Sequence, residues 1–582
     1  MPLVTCLFLC FALFTAPAIG QGDPIMPLDQ VERGMECEGR SVFRGTAIET
    51  FEVEILDVVP PNGGTPAGIL FRASGPALGD TGLGFGFSGS PIYCPDGEGV
   101  QRNIGAVALS VDDYGNDVAI ATPIEDVIDR PRAETARRAG RRGGSVTSQP
   151  LMVSGVGSIV RSRLFAAARR HGIQLLNAPA TSSQVPTGTD LQPGSAVAAA
   201  LSSGDIGLNG IGTVAYRDGS RIWAFGHPFE AVGRRSLLLQ GAFVHAVIGN
   251  PNPPGFDGLG TYKLASAGDV AGVVDFDGNW AISGLLGPPP ATIPLEVLAR
   301  DASEAEIPVS SSLVADESPL NHPSGFPALS LVTSIAVSDQ ALNVLGSGAG
   351  SSYGRLCMQI TLRERNNRPL MFCNRYAGAA AFPFGPAFAM ADDAANAASL
   401  VESFERSLLH VEGVRVALEL TEGSRFVKLR GASGPRSARQ GDTIRIGLRV
   451  QEPRAEVRRL SFRMRVPGSV KPGVRKLRLT GAAADGGGGG FFDEAFFFGG
   501  DFDDFGSQKP PTTVKQLAER VAATHRYDGI RGTFRRRSSD DRELEEIFGA
   551  DPSSAGRKLF RHPTLRIGGK ATLRIRVRPA AG

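Results

Sequence analysis

The stretch "GLGFGFSGSPIYC", Gly82 to Cys94, sets a serine among glycines, with a proline at position 91. Before it, glycine alternates with apolar residues over Gly82–Gly86. Ser88 is open to two readings: a nucleophile in a glycine-lined active site, or a polar turn residue on a β-rich scaffold. A serine nucleophile needs a base for its proton and donors for the oxyanion. Flanking glycines let backbone N–H groups come close to a reacting carbonyl. In a G-x-S-G-x-P turn the amides of Gly86 and Ser88 both point inward and form such a hole. Ser-Gly turns are common, so the motif alone leaves both readings open.

The base should be a histidine. Seven are present: His171, His227, His245, His322, His410, His525 and His562. None precedes Ser88, which excludes a trypsin-like His-Asp-Ser order. His171 closes a helix beside arginines, as a C-terminal cap does, and His562 lies beside Arg561. His227 stands apart in "WAFGHPF", at a strand end, bracketed by aromatics and followed by proline. A hydrogen-bonded turn histidine is the other reading of it.

Outward from these two boxes, the 582-residue chain is too long for one core; two to four domains are expected. Its 74 glycines and 40 prolines imply many turns between short strands. A net charge of +2 demands neither a polyanion nor a membrane partner. "MPLVTCLFLCFALFTAPAIG", residues 1–20, reads as a secretory signal, although its first residues carry no Lys or Arg. The other reading is a buried N-terminal strand. Elsewhere no run reaches the ~18 apolar residues a membrane span needs.

Cleavage there removes Cys6 and Cys10 and leaves Cys37, Cys94, Cys357 and Cys373. An even number in an exported chain implies two disulfides in one of three connectivities. "MQITLRERNNRPLMF" between Cys357 and Cys373 reads as two strands around a turn at Asn366-Asn367, which sets those sulfurs opposite each other. Cys37 with Cys94 is then the remainder. A metal site is the alternative, but there is no CxxC pair and no nearby histidine.

Residues 21–140 read as β, with "FEVEI" alternating apolar and acidic and "GILF" and "IGAVALSV" as short apolar runs. A basic run, Arg130 to Arg142, reads as a solvated linker or a processing site. A second β-rich block covers 141–301, with a helix at "SRLFAAARRHG". Its "GTVAYRDGSRIWAFGH" reads as strand, Asp218-Gly219 turn, strand. Residues 302–410 connect through the cysteine hairpin and a helix at "DDAANAASLVESFERSLL". From 411 to 582, "VRVALEL", "TIRIGLRV", "SFRMRV" and "TLRIRVRP" alternate strictly, as an antiparallel β-sandwich with one wet face does. A Gly/Phe/Asp insertion at 485–506 reads as a disordered loop, and a helix at "TVKQLAERVAATHR" follows it.

The segment "MPLDQVERGMECEGRSVFRGTAIETFEVEILDVV", then "GFSGSPIY", "IGAVALS" and "ATPIEDVI", resembles the SpoIVB-type serine peptidase family. "GTVAYRDGSRIWAFGH" is similar to that family's histidine box. The resemblance covers roughly residues 25–300 and implies a trypsin-like double β-barrel peptidase. Ser88 then corresponds to the nucleophile and His227 to the general base, while Ser90 is structural. Three departures stand out. The histidine box follows the serine box by 139 residues instead of preceding it, as in a circular permutation. Phe87 replaces the family's methionine. Gly75 falls where the family carries its aspartate, leaving Asp80, Asp112 or Asp113 as substitutes, each also readable as a turn residue. Tyr262, Lys263 and Asp275 read as fold-forming.

The expectation is therefore a mainly β chain, an apparently permuted double β-barrel followed by a C-terminal sandwich. Its function would be that of an exported (periplasmic, cell-surface or extracellular) serine endopeptidase acting on a protein substrate in regulatory processing. The site set is Ser88, His227 and Asp80, with Gly86 and Ser88 as oxyanion donors. No cofactor, metal, nucleic acid or integral membrane segment after signal removal is expected; "GLGFG" does not sit between a strand and a helix as a dinucleotide loop would. The alternative is a catalytically inactive binding or structural protein built on the peptidase fold.

Overall fold

The computed structural model describes residues 22–581 apart from 62–66, 111–116, 129–149, 171–172, 181–189, 250–259, 302–307, 321–325, 347–350, 367, 379–383, 483–509 and 536–555. The 1–20 leader, Asp112, Asp113, the Arg130–Arg142 run and the 485–506 insertion lie outside the described residues.

Six antiparallel strands close a barrel: β1 (Glu36–Val42), β2 (Ile48–Val59), β3 (Gly68–Ser74), β4 (Pro91–Pro95), β5 (Gln101–Ser110) and β6 (Val118–Pro123). Strand period places Phe51, Val53 and Ile55 inside while Glu52 and Glu54 face water. With Ile69, Phe71, Ile92, Ile104, Ala119 and Ala121 they fill the barrel. Closure leaves no unpaired edge.

A second set of strands follows: β7 (Leu151–Ser154), β8 (Leu175–Asn177), β9 (Ala196–Gly204), β10 (Gly207–Asp218), β11 (Arg221–Ala224), β12 (Gly233–Ile248), β13 (Tyr262–Asp277) and β14 (Ile282–Leu286). In the order β9-β12-β13-β14-β11-β10, with β10 also paired to β9, six of them form a continuous ring. Strand β9, "AVAAALSSG", is buried on both faces: Val197, Ala199 and Leu201 face one core and Ala196 and Ala198 another. Small side chains suit a strand packed on two sides at once. The helix expected at "SRLFAAARRHG" forms at Ser158–Arg170.

The ring's sheet continues from β9 through β16 (Ser310–Ala315) to β15 (Thr292–Arg300), β19 (Val411–Glu422), β17 (Ser352–Leu362) and β18 (Leu370–Ala377). Two helices, Ala328–Leu345 and Gly385–Glu402, pack on each other and on this extension. The first meets the length and apolarity of a membrane-crossing helix, yet nearly all of its residues are buried inside the protein. No helix was expected there, because its Ser, Thr and Val residues favour other conformations locally and burial decides the outcome. The second helix begins seven residues before "DDAANAASLVESFERSLL", with Pro386 in its first turn, and ends at Glu402. The Glu402 carboxylate accepts from Leu329 and Ser330 N–H at 2.7 and 3.0 Å. It thereby satisfies the start of the neighbouring helix.

Strand β19 carries the "VRVALEL" alternation assigned to the C-terminal sandwich, but it pairs in parallel with β15 and antiparallel with β17. Its apolar face, Val414, Val416, Leu418 and Leu420, belongs to the core under the 328–345 helix. The remaining strands form two sheets around one separate core. One holds β20 (Phe426–Ser433), β22 (Thr443–Gln451), β23 (Val457–Arg465) and β27 (Arg566–Gly568); the other holds β21 (Ser437–Arg439), β24 (Gly473–Thr480), β25 (Ile530–Arg535), β26 (Arg557–Phe560) and β28 (Lys570–Arg578). Ile446, Leu448 and Phe462 from the first meet Leu477, Leu479 and Ile575 from the second.

Two disulfides form, Cys37–Cys94 between β1 and β4 and Cys357–Cys373 between directly opposed residues of β17 and β18. They are compatible with an oxidising compartment. Non-reducing peptide mapping is expected to recover these two pairs and no others. Replacing Cys357 and Cys373 together by serine frees a sequence separation of 16 residues and is expected to cost about 3 kcal/mol on the chain-entropy scale, read as a lower melting temperature.

Candidate active site

The Ser88 loop joins β3 to β4 in the first barrel, and His227 lies between β11 and β12 of the ring. Both segments bond to β10, whose Thr213 is fully buried. Thr213 N–H donates to the Ser88 carbonyl at 2.8 Å, and its hydroxyl donates to the Gly86 carbonyl at 2.9 Å. Its own carbonyl accepts from Phe225 N–H at 3.2 Å. The serine and histidine segments therefore hang on one residue.

Glycine is required at the contact. Gly89 has φ +93°, and a Cβ there would lie 1.9 Å from the Thr213 carbonyl oxygen and 2.5 Å from Phe225 N. Its N–H donates to the Val107 carbonyl at 2.7 Å. Gly226, just before His227, presses on that same carbonyl: an added Cβ would come within 2.7 Å. Gly210 and Gly212, on one face of β10, leave room for the rings of Phe229 and Phe225 on either side of His227. Phe225 has φ +75°, a left-handed conformation that costs a bulky residue about 1–3 kcal/mol. Its buried ring and its bond to Thr213 hold it there.

Around Ser88, Phe87 N–H donates to Gly84, Gly89 N–H to Val107 and Ser90 N–H to Phe87. The amides of Gly86 and Ser88 donate to no acceptor among the described residues. These are the two amides expected from the sequence to serve as oxyanion donors. Ser88 and His227 keep 7% and 8% of their surface exposed. Phe87, in place of methionine, packs fully buried against Phe43. Ser90 is fully buried, and its hydroxyl lies 2.8 Å from that of Ser41.

His227 Nδ1 lies 2.8 Å from the Pro228 carbonyl oxygen. A carbonyl only accepts, so this bond places the proton on Nδ1 and leaves Nε2 with its lone pair. Burial holds the imidazole below its usual pKa, so it is neutral at pH 7. Asp80 is exposed in the turn after β3, and Gly75 sits at φ +110° at the end of that strand. The carbonyl of Pro228 occupies the Nδ1 position where a triad has its acid.

The segment after His227 is fixed from beneath by a residue the sequence reading passed over. Asp277 accepts from Phe229 and Glu230 N–H at 2.8 and 2.7 Å. Burial pushes its carboxyl up to about 6, although Arg235 opposes the shift. Arg235, fully buried, pairs with Glu230 and takes Glu317 through two bonds of 2.8 and 2.9 Å. In sequence Asp277 belongs to "DFDGN", which has the composition of a turn and gives no sign of this role.

Lys263, Tyr262 and Asp275 were read as fold-forming. Tyr262 bridges to Phe85 of the serine loop, and Asp275 meets Arg221 and Ser283. Lys263 lies fully buried under the loop. Its Nζ is 2.8 Å from Ser41 Oγ, 3.2 Å from Thr213 Oγ1 and 4.3 Å from the Phe87 ring centre. Burial lowers the amine to about 7.

No family model, curated protein or solved structure matches the chain.

Gly89→Ala is expected to disrupt the junction and lower the melting temperature, because the methyl collides with backbone on both sides. Lys263 binds fewer protons folded than unfolded between pH 7 and its ordinary value near 10.5. Unfolding free energy should rise with pH across that window, by up to about 1.4 kcal/mol per pH unit. In Lys263→Met that slope should vanish in denaturant titrations at pH 7, 8.5 and 10.

Proposed function

We propose that the chain is an exported serine endopeptidase of the SpoIVB type, built as a permuted double β-barrel with a C-terminal β-sandwich. Ser88 attacks the scissile carbonyl of a protein substrate. Nε2 of His227 takes the serine proton and later returns it to the leaving amine. The amides of Gly86 and Ser88 hold the oxyanion. The observation that carries this reading is that the two amides flanking the Ser88 turn donate to no described acceptor, while the neighbouring amides do. The resemblance of "GFSGSPIY" and "AFGH" supports the same residues. Cleavage at few sites, as in regulatory processing, fits a site with so little of Ser88 exposed.

The Pro228 carbonyl supplies orientation and tautomer without a full negative charge. It stabilises the imidazolium less than an aspartate does, so turnover should be slow, by up to about four orders of magnitude relative to a full triad. That same feature favours the second reading, a binding protein on a peptidase fold.

A fluorophosphonate probe distinguishes them. It is expected to label wild-type protein on Ser88, with labelling abolished in Ser88→Ala and slowed at least about a hundredfold in His227→Ala. The midpoint of the labelling rate against pH should lie below the ordinary histidine value, since burial favours neutral His227. Absence of labelling in folded wild-type protein, or labelling that persists in Ser88→Ala, would reject the peptidase.

A further inference from the structure

The net charge of +2 conceals a strong asymmetry. Residues 426–480 carry fifteen Lys and Arg against three Asp and Glu. Strands β20, β22 and β23 contain no acidic residue at all. Their apolar residues face the core, which sends Lys428, Arg445, Arg449, Arg459, Arg463 and Arg465 to the outer face, whereas Arg458 is in phase with Leu460 and pairs with Glu452.

The register makes this arrangement costly. Arg445 stands directly opposite Arg463, and Arg449 opposite Arg459. Opposed side chains on one sheet face have Cβ atoms about 5 Å apart, and like charges there are destabilising. Arg465 and, on β20, Lys428 extend the basic face. Arg445 reaches only the Ser461 hydroxyl, at 3.1 and 2.9 Å, and Arg465 only the Gly441 carbonyl, at 3.1 Å. None of these cations forms an ion pair among the described residues. Elsewhere the molecule does pair its sheet-surface arginines: Arg415 with Glu296 and Arg72 with Glu54.

The two paired-arginine rows on this face are about 14 Å apart, the rise of four strand residues, with Gly447 and Ser461 in the row between them. The guanidinium fork matches carboxylate or sulfate through two parallel bonds. A flat face of paired forks suits an extended chain with regularly repeated anions. The outward positions of β22 and β23 hold no aromatic side chain, so the face offers no platform for stacking bases. The two disulfides are compatible with an oxidising compartment.

We infer that the outer face of β20, β22 and β23 binds a linear acidic polysaccharide, its anionic groups lying between the opposed arginines. The inference does not depend on the Ser88 chemistry. It replaces the expectation, drawn from net charge, that nothing calls for a polyanion.

The test uses the full chain, with alginate as a carboxylate polymer, heparin as a sulfate polymer and dextran as the neutral control, in calorimetric titrations and salt elution. Either anionic glycan should bind where dextran does not, with affinity falling as salt rises. Arg445→Gln with Arg463→Gln should weaken that binding at least about tenfold and leave the melting temperature unchanged or higher, since the repulsion is relieved. Should that pair fail to fold, Arg449→Gln with Arg459→Gln tests the next charged row with the same expectation. Glycan binding no stronger than dextran, or undiminished in a folded variant, overturns the inference. Tighter binding to duplex DNA or to phosphatidylglycerol vesicles than to both glycans overturns it as well.

Discussion

Thr213 is the point on which the two halves of the molecule turn. Its amide, hydroxyl and carbonyl each join a different piece: Ser88, Gly86 and Phe225. It lies fully buried, where a missing partner would cost about 1–3 kcal/mol. Nearly everything around it can be understood as making room for these bonds. Gly89 lets the serine loop reach the Thr213 carbonyl, Gly212 admits the Phe225 ring, and Lys263 fills the space beneath. The two six-stranded units thus share a seam of backbone contacts, which fixes relative position more tightly than long side chains would.

Much of this was legible in the sequence because it rests on local rules. The alternation of "FEVEI" gives a half-buried strand, and the "MQITLRERNNRPLMF" hairpin sets its two cysteines opposite each other. The glycines around Ser88 announce a turn that no other residue could make. What escaped notice depends on partners distant in the chain. Asp277 resembles any turn aspartate until it meets Phe229 and Glu230, 48 and 47 residues earlier in the chain. The 328–345 helix has weak intrinsic preference and forms because a sheet and a second helix cover it. Strand β19 has the same alternation as β22, and only its parallel pairing with β15 assigns it to another layer. The Pro228 carbonyl is bonded to His227 Nδ1, and sequence patterns do not register carbonyls.

The chain treats buried and exposed charge in opposite ways. Arg235 is enclosed with Glu230, Asp277 and Glu317, and its guanidinium bonds to carboxylates. That cluster stiffens the segment carrying His227 without touching the imidazole. On β22 and β23, Arg445 faces Arg463 and Arg449 faces Arg459 across the strands with no carboxylate paired to them among the described residues. Whole-chain charge averages these two regimes away, which is why a value of +2 says so little about either.

The order of the two boxes also has a consequence for how the molecule comes into being. The first barrel closes entirely within residues 36–123, and its disulfide spans only 37–94. A growing chain can complete both before β10 has been made. The Ser88 loop cannot then take its final shape, because the bonds that seat Gly86 and Ser88 come from Thr213, more than 120 residues later. His227 arrives later still, on a segment that needs Asp277 to set it. During synthesis the first barrel is therefore finished while the Ser88 loop is unset and His227 does not yet exist. The sequence order acts as a built-in delay, and the junction of the Ser88 and His227 segments waits on the completed second ring.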